Sequence, residues 1–140
     1  MTKDVLVKIS GLQFAGEEDS DSIEVITSGT YYEKNGKHYV LYEEQPDANE
    51  PITKNIVKFT QDTFEMTKKG MYHSYLMFER DKKTSTVYQT PAGPLQLDIL
   101  THDFQVEIGE QEMKVNIKYA LEINYNFISE CEVNFKVQAR

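Results

Sequence analysis

From Met113 to Val137 every second residue is apolar or aromatic, with Ser129 as the one exception. The residues between them are polar apart from Ala120 and Ile128. A period of two marks a strand with one buried face and one wet face. Fully extended, this stretch would reach roughly 80 Å, whereas a compact 140-residue chain has a radius of gyration of about 14 Å. It must therefore double back, and Asn124-Tyr125-Asn126 is the turn-forming place. The buried set stays odd through the turn, which predicts a loop of odd count. The simplest has three residues, with Ile123 facing Phe127 and Asn126 left-handed. Val115, Ile117, Val133 and Phe135 then share the buried face, and Lys114, Lys118, Glu132 and Lys136 the wet one.

The rest of the chain reads in the same way. Val5, Val7 and Ile9 alternate, then Leu12 and Phe14 fall in the opposite phase, which predicts a bulge near Gly11. Gly16–Ser22 is an acidic loop, and a strand follows from Ile23 to Tyr32. Asn35-Gly36 is the strongest hairpin signal, because both central residues of a type I′ turn need positive φ. Its partner strand runs from Lys37 to about Glu44, before a second acidic loop at Gln45–Pro51. Further strands are expected over 52–59, 63–67, 72–78 and 84–89, with Thr90–Pro94 breaking the pairing. In the long strand that follows, Leu95, Leu97 and Ile99 give way to Leu100, Phe104 and Val106, so a bulge near Leu100-Thr101 is predicted.

About ten strands joined by short connections describe an antiparallel meander. A meander of this length curls, and closure removes its edges. The expected fold is all-β, a single antiparallel up-and-down β-barrel of about 8–10 strands filling one domain, residues 1–140. A two-sheet β-sandwich is the alternative.

The segments Leu76-Met77-Phe78-Glu79 and Tyr88-Gln89-Thr90-Pro91-Ala92-Gly93-Pro94-Leu95-Gln96-Leu97-Asp98-Ile99-Leu100-Thr101 resemble the central signature of the bacterial YwiB-like family. The strand Tyr39–Glu44 and the order of the hairpins fit as well. The resemblance spans nearly the whole chain and implies a small calycin-type barrel, related in architecture to lipocalins, with no established activity. The family pattern often carries an arginine before the glycine of the middle turn. Here Lys68 and Lys69 precede Gly70, and a lysine does not replace a bidentate guanidinium.

Charge and chemistry narrow the function. A net charge of −8 argues against nucleic acid, whose phosphates call for a basic surface. No signal-peptide pattern opens the chain and no apolar run could span a bilayer, so a soluble, cytoplasmic protein without membrane contact is expected. Cys131 is the only cysteine and falls on the buried face of the last strand. His38, His73 and His102 lack zinc-site spacing, and the serines lack a nucleophile elbow. No catalytic residue, metal site or cofactor is therefore assigned, and the chain reads as a binding protein rather than an enzyme. The oligomeric state is not legible.

Small barrels are either filled by side chains or hold one small ligand. A phenol gives an apolar wall with a hydrogen-bonding tip. Tyr31, Tyr42, Tyr75 and Tyr119 are accordingly the candidate ligand-binding residues, with Lys68 or His73 as polar partners near a mouth; Tyr88 is a further candidate for the lining. The leading function is binding of a small, partly apolar molecule in or at the mouth of the barrel. The alternative is a protein-interaction module using the acidic loops, with Glu17, Glu18, Asp19, Asp21, Asp47 and Glu50 gathered at one end.

Overall fold

A computed structural model describes residues 3–11, 24–45, 48–49, 51–70 and 73–140. It contains the strands β1 (Asp4–Ser10), β2 (Glu24–Lys34), β3 (Lys37–Glu44), β4 (Thr53–Phe59), β5 (Thr63–Lys69), β6 (His73–Glu79), β7 (Lys83–Thr90), β8 (Gly93–Ile108), β9 (Glu112–Ile123) and β10 (Asn126–Ala139). They form one ten-stranded sheet in the order β6-β5-β4-β3-β2-β1-β10-β9-β8-β7. Every ladder is antiparallel, and the first and last strands pair from Val5↔Ala139 to Ser10↔Asn134. This is the expected up-and-down β-barrel.

Closure is nearly complete. β6 and β7 are consecutive in the chain, yet they are the two edges of the sheet. The turn between them is held by Lys82 N–H donating to the Glu79 carbonyl at 3.1 Å. Across the seam the Thr84 hydroxyl donates to the Met77 carbonyl. A side-chain bond thus stands where a closed barrel would have a ladder.

Alternation fills the interior. Phe59, Phe64, Phe78, Phe104, Phe135 and Tyr119 are all at most 2% exposed. All of these rings but Phe104 meet a neighbour edge to face, with centroids 5.3 Å apart for Phe64–Phe135 and 4.9 Å for Phe78–Tyr119. Rings at these distances leave no room for a ligand between them. That part of the lumen is solid core.

The turns show where local chemistry decides and where it does not. Asn35 and Gly36 have φ of 54° and 75°, the positive pair expected of a tight hairpin. The last hairpin differs from the three-residue expectation. Asn124 and Tyr125 alone form the turn, with φ of 49° and 69°, and Asn126 pairs with Ile123. A bulge between Phe127 and Ser129 then restores the odd phase. A two-residue turn followed by one extra residue leaves the same pattern as a three-residue loop. The difference falls on Phe127, which is 61% exposed rather than buried.

Two other features of the chain turn out in different ways. Thr90–Pro94 does not break the pairing. Thr90↔Gly93 and Gln89↔Pro94 are register partners around a tight turn at Pro91-Ala92. Pro94 is tolerated because the β8–β9 ladder starts only at Leu97, so its missing N–H is not called for on that side. The phase change in β8 does occur, with the bulge between Thr101 and Asp103. Leu12 and Phe14 lie outside the described residues, as do Tyr72 and the carboxylates Glu17, Glu18, Asp19, Asp21, Asp47 and Glu50.

Candidate functional site

One row of register partners runs across the wall of the barrel: Val5↔Gly29, Gly29↔Tyr42, Tyr42↔Asn55, Asn55↔Lys68 and Lys68↔Ser74. All sit in the inward phase of their strands. The row begins apolar and becomes polar, and its centre holds the site. Gly29 is required there by close approach. A Cβ on it would lie 2.8 Å from both the Leu41 carbonyl oxygen and the Val7 side chain.

Gly29 is also where the wall divides. Its pairing with Tyr42 is the last rung of the β2–β3 ladder, while β2 continues back along β1 to Glu24. Glu43 and Glu44 continue instead along β4. The parting strands leave a cleft of about 720 Å³, whose walls include Asp4, Ser28, Leu41, Tyr42, Asn55 and Ile56. Most of the lining residues, Ser28, Leu41, Lys54 and Ile56 among them, take the outward phase of their strands, while Tyr42 and Asn55 take the inward phase.

On the inward side of the same strands polar groups converge. Glu44 Oε1 accepts from Asn55 Nδ2 at 2.8 Å and from Lys68 Nζ at 3.3 Å. Asn55 is 1% exposed and Tyr42 4%. Neither Asn55 Oδ1 nor the Tyr42 hydroxyl has a hydrogen-bond partner among the described residues. Burial, and after it the charge of Glu44, pushes the Tyr42 phenol well above its ordinary range, so it stays protonated at neutral pH. Unsatisfied buried polar atoms are rare in native proteins and call for a water or a ligand.

The other tyrosines and His73 fall elsewhere. Tyr31 points inward, but its hydroxyl is already bonded to His38 Nδ1 at 2.7 Å. Tyr119 is fully buried, with its ring against Phe78. Tyr88 is half-buried and packs against the core. Tyr75 does not line the lumen. In β6, Ser74, Leu76 and Phe78 take the inward phase, which leaves His73 and Tyr75 outside. The Tyr75 hydroxyl donates to Glu65 Oε1 at 2.5 Å. Partial burial of the ring, then this bond, pushes the phenol up to about 12. Of the candidates, the structure therefore brings together Tyr42 and Lys68.

Sequence reasoning missed Asn55 and Glu44. Both carry a signal in hindsight, because each is a polar residue in the buried phase of its strand (Asn55 two before Val57, Glu44 two after Tyr42). Among the described residues no group of three or more His, Cys, Asp and Glu is placed to hold a metal ion. No helix there is long and apolar enough to cross a membrane.

The YwiB protein of Bacillus subtilis (strain 168), described as an uncharacterized beta-barrel protein, is 28% identical over 109 residues, 76% of this chain and 75% of that protein. A crystal structure of ywiB protein from Bacillus subtilis matches 98% of this chain and 90% of that one, with a TM-score of 0.72 at 23% identity, which shows the fold. The model of the family described as Domain of unknown function (DUF1934) matches residues 7–135. Covering nearly all of the ten strands, that match places the chain in the DUF1934 family, the YwiB-like kinship that the Tyr88–Thr101 segment suggests.

Proposed function

We propose that this barrel binds a small, partly apolar molecule without transforming it, at the cleft between β2 and β3. The observation that carries the reading is an open cleft whose lining includes Tyr42 and Asn55, two residues that each keep a buried polar atom without a hydrogen-bond partner among the described residues. A volume of about 720 Å³ suits a small ligand, and sites of this kind combine apolar walls with a few placed polar groups. Leu41 and Ile56 supply apolar wall here. The packed phenylalanines direct the ligand to the wall instead of the central lumen. The reading takes residues 1–140 as one calycin-type domain acting in the cytoplasm.

The test is native mass spectrometry on protein isolated from its own host, followed by a thermal-shift screen. A ligand specific to the folded state and present at a hundred times its dissociation constant stabilises by about 2.7 kcal/mol. Tyr42→Phe should weaken that effect, since it removes only the hydroxyl. Absence of a copurified mass, together with an unmoved melting curve for every ligand class, rejects the proposal.

A second reading, a protein-interaction surface at one end of the barrel, draws on the last hairpin. Tyr125, Phe127 and Ile128 are 74%, 61% and 50% exposed, side by side in the chain. Apolar groups left in water this way are a common mark of an interaction site. Pull-downs with wild type and with a Phe127→Ser, Ile128→Ser variant distinguish it, because those changes leave the cleft untouched.

A further inference from the structure

The cleft also borders an unpaired strand edge. β2 pairs with β1 without a break from Thr30 down to Glu24, but its ladder to β3 ends at Gly29. The main-chain N–H of Tyr31 donates to the Lys3 carbonyl at 2.8 Å, on the β1 side. Main-chain groups alternate in direction along an antiparallel strand, and neither ladder of β2 shifts register. Those of Val25 and Thr27 therefore face β1, and those of Glu24 and Ile26 face the side that β3 has left. Among the described residues no strand pairs with them there. Natural edges are commonly blunted by a bulge, a lysine or a proline. Val25-Ile26-Thr27-Ser28 has none of these, and Ile26 is 57% exposed.

Resting on the binding reading above, we infer that the molecule taken by the cleft is a short peptide, held extended along β2 from Glu24 to Ser28 as an added strand. A row of main-chain donors and acceptors is matched by another main chain, which is how extended peptides join open sheet edges. Five residues make an edge of about 17 Å, and the pairing of Gly29 with Tyr42 closes its inner end, so the fitting ligand is short. Running antiparallel to β2, the peptide takes the place that β3 vacates. Its side chains then alternate as those of β2 do. One set falls beside Thr27 and Val25, which packs against the core. The other falls beside Ile26 and Ser28 on the outer face, where Leu41 and Ile56 line the cleft. β-branched side chains suit both rows. Charge selects little, because Asp4 and Glu43 in the lining are offset by Lys54 and Lys69. A second copy of the chain is the poorer occupant, since each copy carries a net charge of −8.

The experiment titrates the full-length protein with the peptide acetyl-Thr-Val-Thr-Val-Thr-amide and with the same peptide N-methylated at every residue, which keeps the side chains and removes the donors. Heteronuclear NMR reads both the site and the exchange of each amide hydrogen. The unmethylated peptide is expected to slow exchange at the Ile26 N–H, whereas the Val25 and Thr27 amides, facing β1, are slow beforehand. Methylation should weaken binding about tenfold or more, the effect of losing two hydrogen bonds of ordinary net strength. Ile26→Pro should abolish peptide binding and leave the β1 ladder intact, because the N–H it removes points to the free side; its backbone spectrum reports the fold. Equal affinity of the methylated peptide, or binding that leaves the Ile26 amide exchanging freely, overturns the strand addition. If small molecules from the thermal-shift screen move Leu41 and Ile56 while the peptide moves nothing, the peptide inference falls and the binding cleft stands. If neither moves these residues, the proposed function falls with it. Protection of the Ile26 amide that grows with protein concentration in the absence of peptide gives the edge to a second copy, and overturns the inference as well.

Discussion

Tyr42 and Asn55 are register partners on adjacent strands, both buried, and each ends in a polar atom with no hydrogen-bond partner among the described residues. An arrangement of this kind is unfavourable in isolation, since a buried unsatisfied group carries a desolvation penalty of about 1–3 kcal/mol. Both residues also line the cleft, which is the reason for reading it as a binding site.

That penalty gives a direct measurement. Tyr42→Phe should raise the stability of the ligand-free protein by about 1 kcal/mol, by removing an unpaired hydroxyl at little change in shape. Tyr31→Phe should instead lower it by about 1 kcal/mol, because it breaks a 2.7 Å bond to buried His38. Urea unfolding of both variants reports the two signs. A loss of stability in Tyr42→Phe would mean that a partner, water included, already satisfies the hydroxyl.

The last hairpin offers a stabilising change. Tyr125 holds φ of 69°, a conformation that disfavours residues with a Cβ by about 1–2 kcal/mol. Tyr125→Gly creates the Asn-Gly sequence that such turns prefer. After the entropy of a more flexible unfolded chain is subtracted, a gain of about 0.5–1 kcal/mol is expected. No gain in the midpoint of thermal unfolding would show that the bond from the Tyr125 hydroxyl to Gln96 Oε1, at 3.1 Å, matters more than the backbone strain.

Acid stability should depend on Asp98. This residue lies on the outer side of β8 yet is only 2% exposed. The Ser85 hydroxyl, 2.5 Å away, is the largest cause that lowers its carboxyl below the usual 3.8. A depressed folded value contributes stability that is complete above 3.8 and lost as the pH falls through the folded value. Ser85→Ala should move the Asp98 carboxyl midpoint upward in a carbon-detected NMR titration and flatten the stability loss below that pH. Lys83→Met should move it less, since the ammonium stands 4.0 Å away and is the smallest of the favourable influences. A larger shift from Lys83→Met reverses this ordering.

Ile117 and Lys118 are neighbours on opposite faces of β9. Ile117→Ala should cost about 2–5 kcal/mol, the usual range for an isoleucine with no exposed surface. Lys118→Ala should change stability by less than about 0.5 kcal/mol. Similar costs for the two would contradict the register.

The sequence by itself determined the ten strands, their antiparallel succession and most of the core, because a period of two is a local consequence of having one wet face. It also placed Val115, Ile117, Val133 and Phe135 in the interior. Phe127 escaped it, since a bulge after a two-residue turn and a longer loop leave the same alternation. Alternation predicts a face only once the phase is known, and a lone tyrosine or histidine does not reveal its own phase. Tyr75 was consequently misplaced as a lining residue, whereas the run Ser74, Leu76, Phe78 fixes the inward side of β6. The cleft was decided by tertiary structure alone. It exists because Gly29 lets β2 hand its pairing from β1 to β3, after which the wall parts. Which strands separate, and which buried polar atoms are left without a partner, depends on sheet curvature and long-range register, and no local pattern of residues encodes either.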